Sequence, residues 1–169
     1  MADESACVVP QFCAKRTLVL GCGNLLFGDD GFGPAVIEYL EGNYLIPEDV
    51  CVMDVGTGVR NLLFTLALDP TLPQKIVIVD AVDRGMRPGE IFELPVENLP
   101  PEKTDDFSLH QVPSSNLARD LVDAGIEVHV VVCQIDAIPQ SVKPGLSRAL
   151  MDAVPRMCSL IVSRFFNQD

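Results

Sequence analysis

The sequence predicts an α/β fold: a single three-layer domain with a twisted, mostly parallel sheet, an antiparallel edge strand and helices on both faces. Short β-branched runs alternate with longer helical ones along the chain, as in successive βαβ units. A length of 169 residues suits one domain with a self-sufficient core. Hydrophobic residues make up 48% of the chain and charged residues 21%, which is typical of globular proteins.

The first half of the chain contains three predicted strands and two predicted helices. The strands lie at 17–21, 50–56 and 74–82, and the helices at 33–44 and 59–68. Pro34 stands near the first turn of its helix, where proline is favoured, and the second helix ends before Pro70. The third strand is almost entirely apolar, as expected for a strand that is covered on both faces.

The second half is predicted to add one edge strand, one inner strand and two helices. In order these are an alternating edge strand at 89–95, a long irregular loop at 97–113, a helix at 114–125, a strand at 126–135 and a helix at 143–166. The helix at 114–125 has a serine N-cap signal and a glycine stop. The last helix is expected to bend or break at Pro155.

Composition excludes several classes of partner. A formal net charge of −12 argues against nucleic acid and against anionic membranes. No run approaches the ~20 apolar residues that span a bilayer. Residues 1–16 place acidic residues before a short apolar patch broken by Pro10, which is the wrong order for a signal peptide. We predict an N-terminal extension of unknown role at 1–16 and one α/β domain at 17–169.

The six cysteines are predicted to be reduced thiols. They stand at positions 7, 13, 22, 51, 133 and 158, without any C-x-x-C spacing. Cys51 and Cys133 lie inside apolar strand-like runs, which supports this interpretation for them. Cys7 and Cys13 could instead bind a metal or form a labile bridge, but two thiols fall short of the usual four-ligand site.

The glycine-rich stretch after the first strand raises the question of a nucleotide site. A dinucleotide fingerprint requires G-x-G-x-x-G, and Leu26 stands where the third glycine belongs. No Gly-Lys-Ser/Thr follows, so the Walker phosphate loop is missing as well. Asp29 and Asp30 would repel a diphosphate at the start of the next helix. Asp54 does end the second strand, which leaves a nucleotide-binding module as an alternative.

A purely structural interpretation is available for one of the two aspartates. Aspartate is a common helix N-cap, and either Asp29 or Asp30 could serve as one. One cap explains one aspartate, and the other still lies at the mouth of the sheet.

Acidic residues are predicted to converge where the parallel strands end. Asp30 follows the first strand, Asp54 ends the second and Asp80 ends the third, while the loop at 97–113 can bring His110 to the same edge. Carboxylates with an imidazole suit nickel, zinc or iron. Strand-end aspartates are also frequent helix caps, so a metal site and a set of caps both remain open.

The other histidine and the remaining motifs carry little chemistry. His129 alternates with valines inside a strand, and we interpret it as structural. The sequence has no H-E-x-x-H, no G-x-S-x-G and no recognisable Cys/His arrangement. A hydrolase with this sequence would therefore have to use a metal or the acids themselves.

Four segments resemble a known family. "GCGNLLFGDDGFG" at 21–33 is similar to the opening motif of the hydrogenase maturation endopeptidases, G-x-G-N-x-L-x-x-D-[DE]-x-x-G. The resemblance continues in "MDVGTG" at 53–58, "IVDAVDRGMRPGEI" at 78–91 and "SLHQV" at 108–112, in the same order. It spans roughly residues 17–165, and the combination is specific although the glycine motif alone is weak. Two of these segments look closest to the archaeal branch that serves coenzyme F420-reducing hydrogenase.

This resemblance implies a function and a set of site residues. The family's metal-contacting acids fall on Asp30 and Asp80, its histidine on His110 and its further acid on Asp54. The implied protein is a cytoplasmic endopeptidase that removes a C-terminal extension from the nickel-loaded large-subunit precursor of a [NiFe] hydrogenase. A non-catalytic nickel-binding maturation chaperone with the same ligands is the alternative.

The resemblance also sets expectations about metal and mechanism. Nickel is expected to arrive with the substrate, so no tightly bound resident metal is predicted, although zinc or cadmium could occupy the site in vitro. Asp54 is expected to act as a base or an orienting group. We further expect a monomer.

Overall fold

The structure is a computed structural model that describes residues 14–68, 71–99 and 115–166. Five strands form one sheet: β1 (Thr17–Cys22), β2 (Val50–Gly56), β3 (Lys75–Val82), β4 (Ile91–Leu94) and β5 (Glu127–Gln134). Their order across the sheet is β2-β1-β3-β5-β4. All neighbours pair in parallel except β4, which runs antiparallel to β5 at one edge. The predicted sheet, including its antiparallel edge strand, is confirmed.

Four helices cover the two faces of this sheet: α1 (Phe32–Asn43), α2 (Val59–Ala67), α3 (Ser115–Asp123) and α4 (Arg148–Ile161). Alternating residues of β1 and β3 enter separate cores, because successive side chains of a strand point to opposite faces. One core joins Val19 and Val77 to α1 and α4. The other joins Leu18 and Ile76 to α2 and α3. The three-layer arrangement predicted from the sequence is therefore confirmed.

The C-terminal helix begins later than predicted and is not interrupted at its proline. It begins at Arg148 rather than at 143, because Ser147 is the N-cap and its side chain accepts a hydrogen bond from Leu150 N. It continues through Pro155 without a break and passes into a π-helical turn at Val162–Phe166. Among the described residues, no helix is long and apolar enough to cross a membrane.

Close packing explains two glycines of the first loop. A Cβ atom on Gly33 would lie 2.2 Å from the Cys22 carbonyl oxygen and 2.6 Å from that of Val79. A Cβ atom on Gly21 would lie 2.5 Å from the Gly33 carbonyl oxygen. These glycines let the start of α1 lie directly on β1 and β3, which places the preceding turn over the ends of both strands.

Candidate active site

The two adjacent aspartates of the glycine loop have different roles. Neither caps α1, since the N-cap is Gly31 and no side chain bonds there, so the alternative of a helix cap does not hold for this helix. Instead both aspartates lie in a buried 3₁₀ turn, Gly28–Gly31. The Asp29 carboxylate accepts hydrogen bonds from Ser147 N at 2.7 Å and Asp136 N at 2.9 Å. Asp29 therefore ties the glycine loop to the segment between β5 and α4.

Asp30 faces its own loop and the end of β3. Its side chain is 0% exposed, and its Oδ2 accepts a hydrogen bond from Asn24 N at 3.0 Å. The backbone of the same pair closes the loop, because Asn24 N also donates to the Asp30 carbonyl oxygen at 3.1 Å. The Asn24 side chain accepts from Leu26 N, so the loop is held from both sides. Asn24 was not among the site residues predicted from the sequence, although it lies within the glycine-rich motif.

Asp80 lies near the end of β3 and is 2% exposed. Burial raises the pKa of its carboxyl well above the usual value, the hydrogen bond from Ala81 N opposes the rise, and the charge of Asp30 adds to it. The 3₁₀ turn that carries Asp30 also packs against β3, which carries Asp80, so the two carboxyls lie in the same region of the structure. Asp30 and Asp80 thus lie buried beneath the carboxyl-terminal edge of the sheet, hereafter the carboxyl edge.

Asp54 differs from this pair because it is exposed. Its Oδ1 accepts a hydrogen bond from Gly56 N at 2.9 Å, which holds the carboxylate at the end of β2. It lines an open cleft of about 270 Å³. The other lining residues come from the glycine loop, the start of α1 and the end of β2: Gly23, Asn24, Leu25, Pro34, Gly56 and Thr57. Three neighbouring strands, β2, β1 and β3, therefore carry Asp54, Asp30 and Asp80 to one edge, as the sequence predicted.

The fourth predicted site residue, His110, lies outside the described residues. Within 14–68, 71–99 and 115–166, no group of three His, Cys, Asp or Glu side chains is arranged to hold a metal ion. Two buried carboxylates fit a metal as hard oxygen donors but provide only part of a coordination shell. The carboxyl edge would therefore need further donors, from the remainder of the chain or from a substrate.

The described cysteines are not activated as nucleophiles. Cys22 is buried at the end of β1, and burial, followed by the charges of Asp80 and Asp54, raises its pKa well above the usual value. Burial raises the pKa of Cys133 and that of Cys158 to about 12. Cys22, Cys51, Cys133 and Cys158 are free thiols, as predicted, while Cys7 and Cys13 lie outside the described residues. A thiolate mechanism has no support among these four.

His129 lies towards the other end of β5, away from the acids. Its Nδ1 is 2.6 Å from Glu93 Oε1 and its Nε2 is 2.7 Å from Glu127 Oε1. The ring also packs against Phe165, with 4.9 Å between the ring centroids. These contacts hold the π-helical turn after α4 against the sheet, which agrees with the structural role predicted for this histidine.

His129→Ala is expected to leave the activity of the candidate site unchanged and to lower stability by about 1 kcal/mol at pH 7. The hydrogen bond to His129 lowers the pKa of Glu127. Burial raises the pKa of Glu93, but the hydrogen bonds that Glu93 makes with His129 and Arg164 have the larger combined effect, so its pKa is lowered overall. Carboxylates with a lowered folded pKa stabilise the fold above about pH 4.5, and this contribution is lost as pH falls through the folded pKa.

Urea unfolding at pH 7 and at pH 3 checks this prediction. The difference between wild type and His129→Ala should shrink as the medium becomes more acidic. A folded variant that no longer cleaves substrate would contradict the structural role.

The fold and the matched family define the class of this protein as a peptidase. The family model of the hydrogenase maturation proteases, HycI, matches residues 34–164. The chain belongs to the hydrogenase maturation protease family, and it is a hydrolase of peptide bonds.

Individual relatives agree with this assignment. The chain is 42% identical to a hydrogenase maturation protease of Methanocaldococcus jannaschii over 149 residues, which cover 88% of this chain and 95% of the relative. It is 34% identical to the coenzyme F420 hydrogenase subunit delta of Methanothermobacter thermautotrophicus, over 86% and 91% of the two chains. The crystal structure of the hydrogenase 3 maturation protease superposes with a TM-score of 0.69 at 26% identity, over 87% and 89% of the two chains.

Proposed function

We propose that this protein removes a C-terminal extension from the nickel-loaded large-subunit precursor of a [NiFe] hydrogenase, of the coenzyme F420-reducing type. The observation that carries the proposal is the pair of buried carboxylates, Asp30 and Asp80, beneath the carboxyl edge. Two buried carboxylates close to one another are costly to ionise, because burial disfavours each charge and like charges repel, and a bound cation lowers this cost. Similarity to the coenzyme F420 hydrogenase subunit delta supports the choice of hydrogenase.

Substrate-bound nickel fits this donor set better than a resident ion. Two protein carboxylates leave most of a coordination shell to other donors, and a metal already held by the precursor would bring them. The protease would then hold nickel firmly only together with the precursor, so that loaded nickel is the condition for cleavage. The free protein should lose zinc, cadmium or nickel on dialysis against a chelator.

His110 is proposed as a third contact to nickel. The side chain of Asp80 and helix α3 share one face of the sheet, since Ile76 and Ile78 pack in the same core as Ala118 and Leu121. Helix α3 leads through a short turn into the start of β5, so its first residue, Ser115, lies towards the carboxyl edge. His110 precedes Ser115 by five residues, a span of at most about 18 Å at ~3.6 Å per residue.

Asp54 is proposed as a base or an orienting group for the attacking water. It lines the cleft, whereas Asp30 and Asp80 lie beneath the surface. An exposed carboxylate can exchange a proton with solvent between turnovers, which a general base requires. Nickel would polarise the scissile carbonyl or activate the water, and the chain's own acids would position the reacting groups.

The proposal is tested by mixing the purified protein with nickel-loaded or nickel-free precursor and measuring precursor mass. We expect loss of the C-terminal peptide only from the nickel-loaded precursor. Cleavage of both forms would exclude the nickel requirement, and binding without cleavage would favour the maturation chaperone. A metal that stays stoichiometric after dialysis against a chelator would indicate a resident ion.

A further inference from the structure

An exposed turn next to the candidate active site carries two arginines. Residues 83–88, which follow β3, are all exposed, and Arg84 and Arg87 lie within this turn. It begins three residues after Asp80, at the carboxyl edge. The turn contains two arginines and one aspartate, Asp83, so it has a small positive formal charge in a chain whose formal net charge is −12.

A buried glutamine fixes the conformation of this turn. Gln134, at the end of β5, is 3% exposed, and its Oε1 accepts hydrogen bonds from Arg84 N at 2.8 Å and Met86 N at 3.2 Å. Its Nε2 donates to Asp83 Oδ1 and to the Ile135 carbonyl oxygen, both at 3.0 Å. Three of these four hydrogen bonds reach the exposed turn, two at its backbone and one at the Asp83 side chain, so the buried glutamine specifies its conformation.

The far end of the turn is braced as well. Gly89 N donates to the Gln134 carbonyl oxygen at 2.9 Å, and Arg156 Nη2 donates to the Gly89 carbonyl oxygen at 2.8 Å. A Cβ atom on Gly89 would lie 2.8 Å from the Ala149 carbonyl oxygen, so the turn is seated closely on the start of α4. The two arginines are therefore presented from a fixed backbone.

The guanidinium groups of Arg84 and Arg87 are available to a partner. Within the described part of the chain, neither takes part in an ion pair or a side-chain hydrogen bond. Four other arginines are engaged: Arg16 with Gln74, Arg148 with Asp152, Arg156 with Gly89 and Arg164 with Glu93. Arg60 is engaged as well. Arg119, on α3, is like Arg84 and Arg87, because its side chain makes no ion pair or hydrogen bond within the described residues.

We propose that Arg84 and Arg87 form a docking site for an acidic segment of the large-subunit precursor; this rests on the proposed function. Guanidinium groups bind carboxylates through paired hydrogen bonds. An acidic segment would be repelled by the net negative charge of this protein and attracted by the two arginines of this turn. The contact would therefore orient the precursor, with its cleavage site over the cleft.

Single charge reversals at the two arginines test the proposal. Arg84→Glu and Arg87→Glu should each raise KM for the precursor about tenfold at low salt and leave kcat within twofold. Arg119→Glu is the matched control. The turn is seated on α4, whereas Arg119 lies on α3, which covers the other face of the sheet, so the same charge change there should leave KM unchanged. Arg84→Lys and Arg87→Lys should recover only part of the wild-type KM, because lysine restores the charge but not the paired hydrogen bonds. Salt at 0.5 M should raise the wild-type KM towards that of the reversed variants, because the screening length falls to about 4 Å.

Changes in the precursor identify the partner group. Lysine in place of the contacted acidic residues should restore binding to Arg84→Glu. An unchanged KM in both reversals, or an equal rise in Arg119→Glu, would overturn the proposal. The proposal would also be overturned if amidation of the precursor's C-terminus, which removes the terminal carboxylate, abolished binding.

The same series separates this inference from the proposed function. If the wild type binds the precursor without cleaving it, the proposed function fails. The docking site is then tested by comparing the Kd values of the variants for the precursor with that of the wild type. If the wild type cleaves and the reversals have no effect on KM, only the docking site fails. If the wild type does not bind the precursor, both proposals fail.

Discussion

Asp30→Asn and Asp80→Asn are each expected to reduce precursor cleavage by more than about 100-fold in a protein that remains folded. Even the outer partners of metal ligands cost roughly 10- to 100-fold when they are changed, so loss of a direct contact should cost more. Asparagine keeps the volume of each buried side chain. It also keeps an oxygen that can accept from Asn24 N at position 30 and from Ala81 N at position 80.

The Asp80→Asn substitution should stabilise the folded protein at neutral pH, although it reduces cleavage. Burial raises the pKa of Asp80, so the folded state favours the protonated form. The resulting penalty is absent below the unfolded pKa, near 3.8, and grows as pH rises towards the folded pKa. Asp80→Asn should therefore match the wild type in acid and become more stable than it as pH rises.

Asp29→Asn is the matched control for this experiment. Asp29 is as buried as its neighbour, but its two oxygens accept from backbone N–H groups of the segment between β5 and α4. An amide group would place an N–H against one of these donors, so Asp29→Asn should lower stability. Normal cleavage by both Asp30→Asn and Asp80→Asn would exclude these residues from the site.

Gly33→Ala is expected to destabilise the protein by about 3 kcal/mol or more. The new methyl carbon would lie 2.2 Å from the Cys22 carbonyl oxygen and 2.5 Å from Cys22 N. These atoms belong to the central strand β1 and cannot rotate away, so the start of α1 must move off the sheet. Because Asp30 lies just before α1, the same movement should also reduce cleavage.

Gly42→Ala provides a control within the same helix. A Cβ atom on Gly42 meets nothing within 4 Å, and alanine has the higher helix propensity. This substitution should stabilise the protein by about 0.5–1 kcal/mol. Chemical unfolding of the two variants measures both effects, and a stable Gly33→Ala protein would contradict the close packing of α1 on β1 and β3.

The sequence by itself determined the sheet and the edge at which the acids gather. The spacing of apolar residues indicates which side chains are buried, because each strand or helix must bury its own apolar side. Because parallel strands all end at one edge, the positions of Asp30, Asp54 and Asp80 in their segments predicted a common location. The family resemblance likewise came from local motifs whose residues are close together in the chain.

Only the tertiary structure decided what each aspartate does. Asp29 and Asp30 are adjacent and chemically identical, yet one binds backbone N–H groups more than 100 residues away, with Asp136 and Ser147 as its partners. Asp30 instead lies in the same region as Asp80, and these two buried carboxylates are the basis for proposing a bound cation. Such differences arise from long-range packing, to which local patterns are insensitive.

The same reason explains the other differences between prediction and structure. Nothing in the pattern around Gln134 indicates that its side chain holds the turn at 83–88, since the two segments are about 50 residues apart. The burial of Asp30 and Asp80 depends on α1 lying against β1, and hence on the contact between Gly21 and Gly33. The chain's local pattern determined the elements and their order, whereas contacts between distant segments determined which acids are buried, which is exposed and which surface is charged.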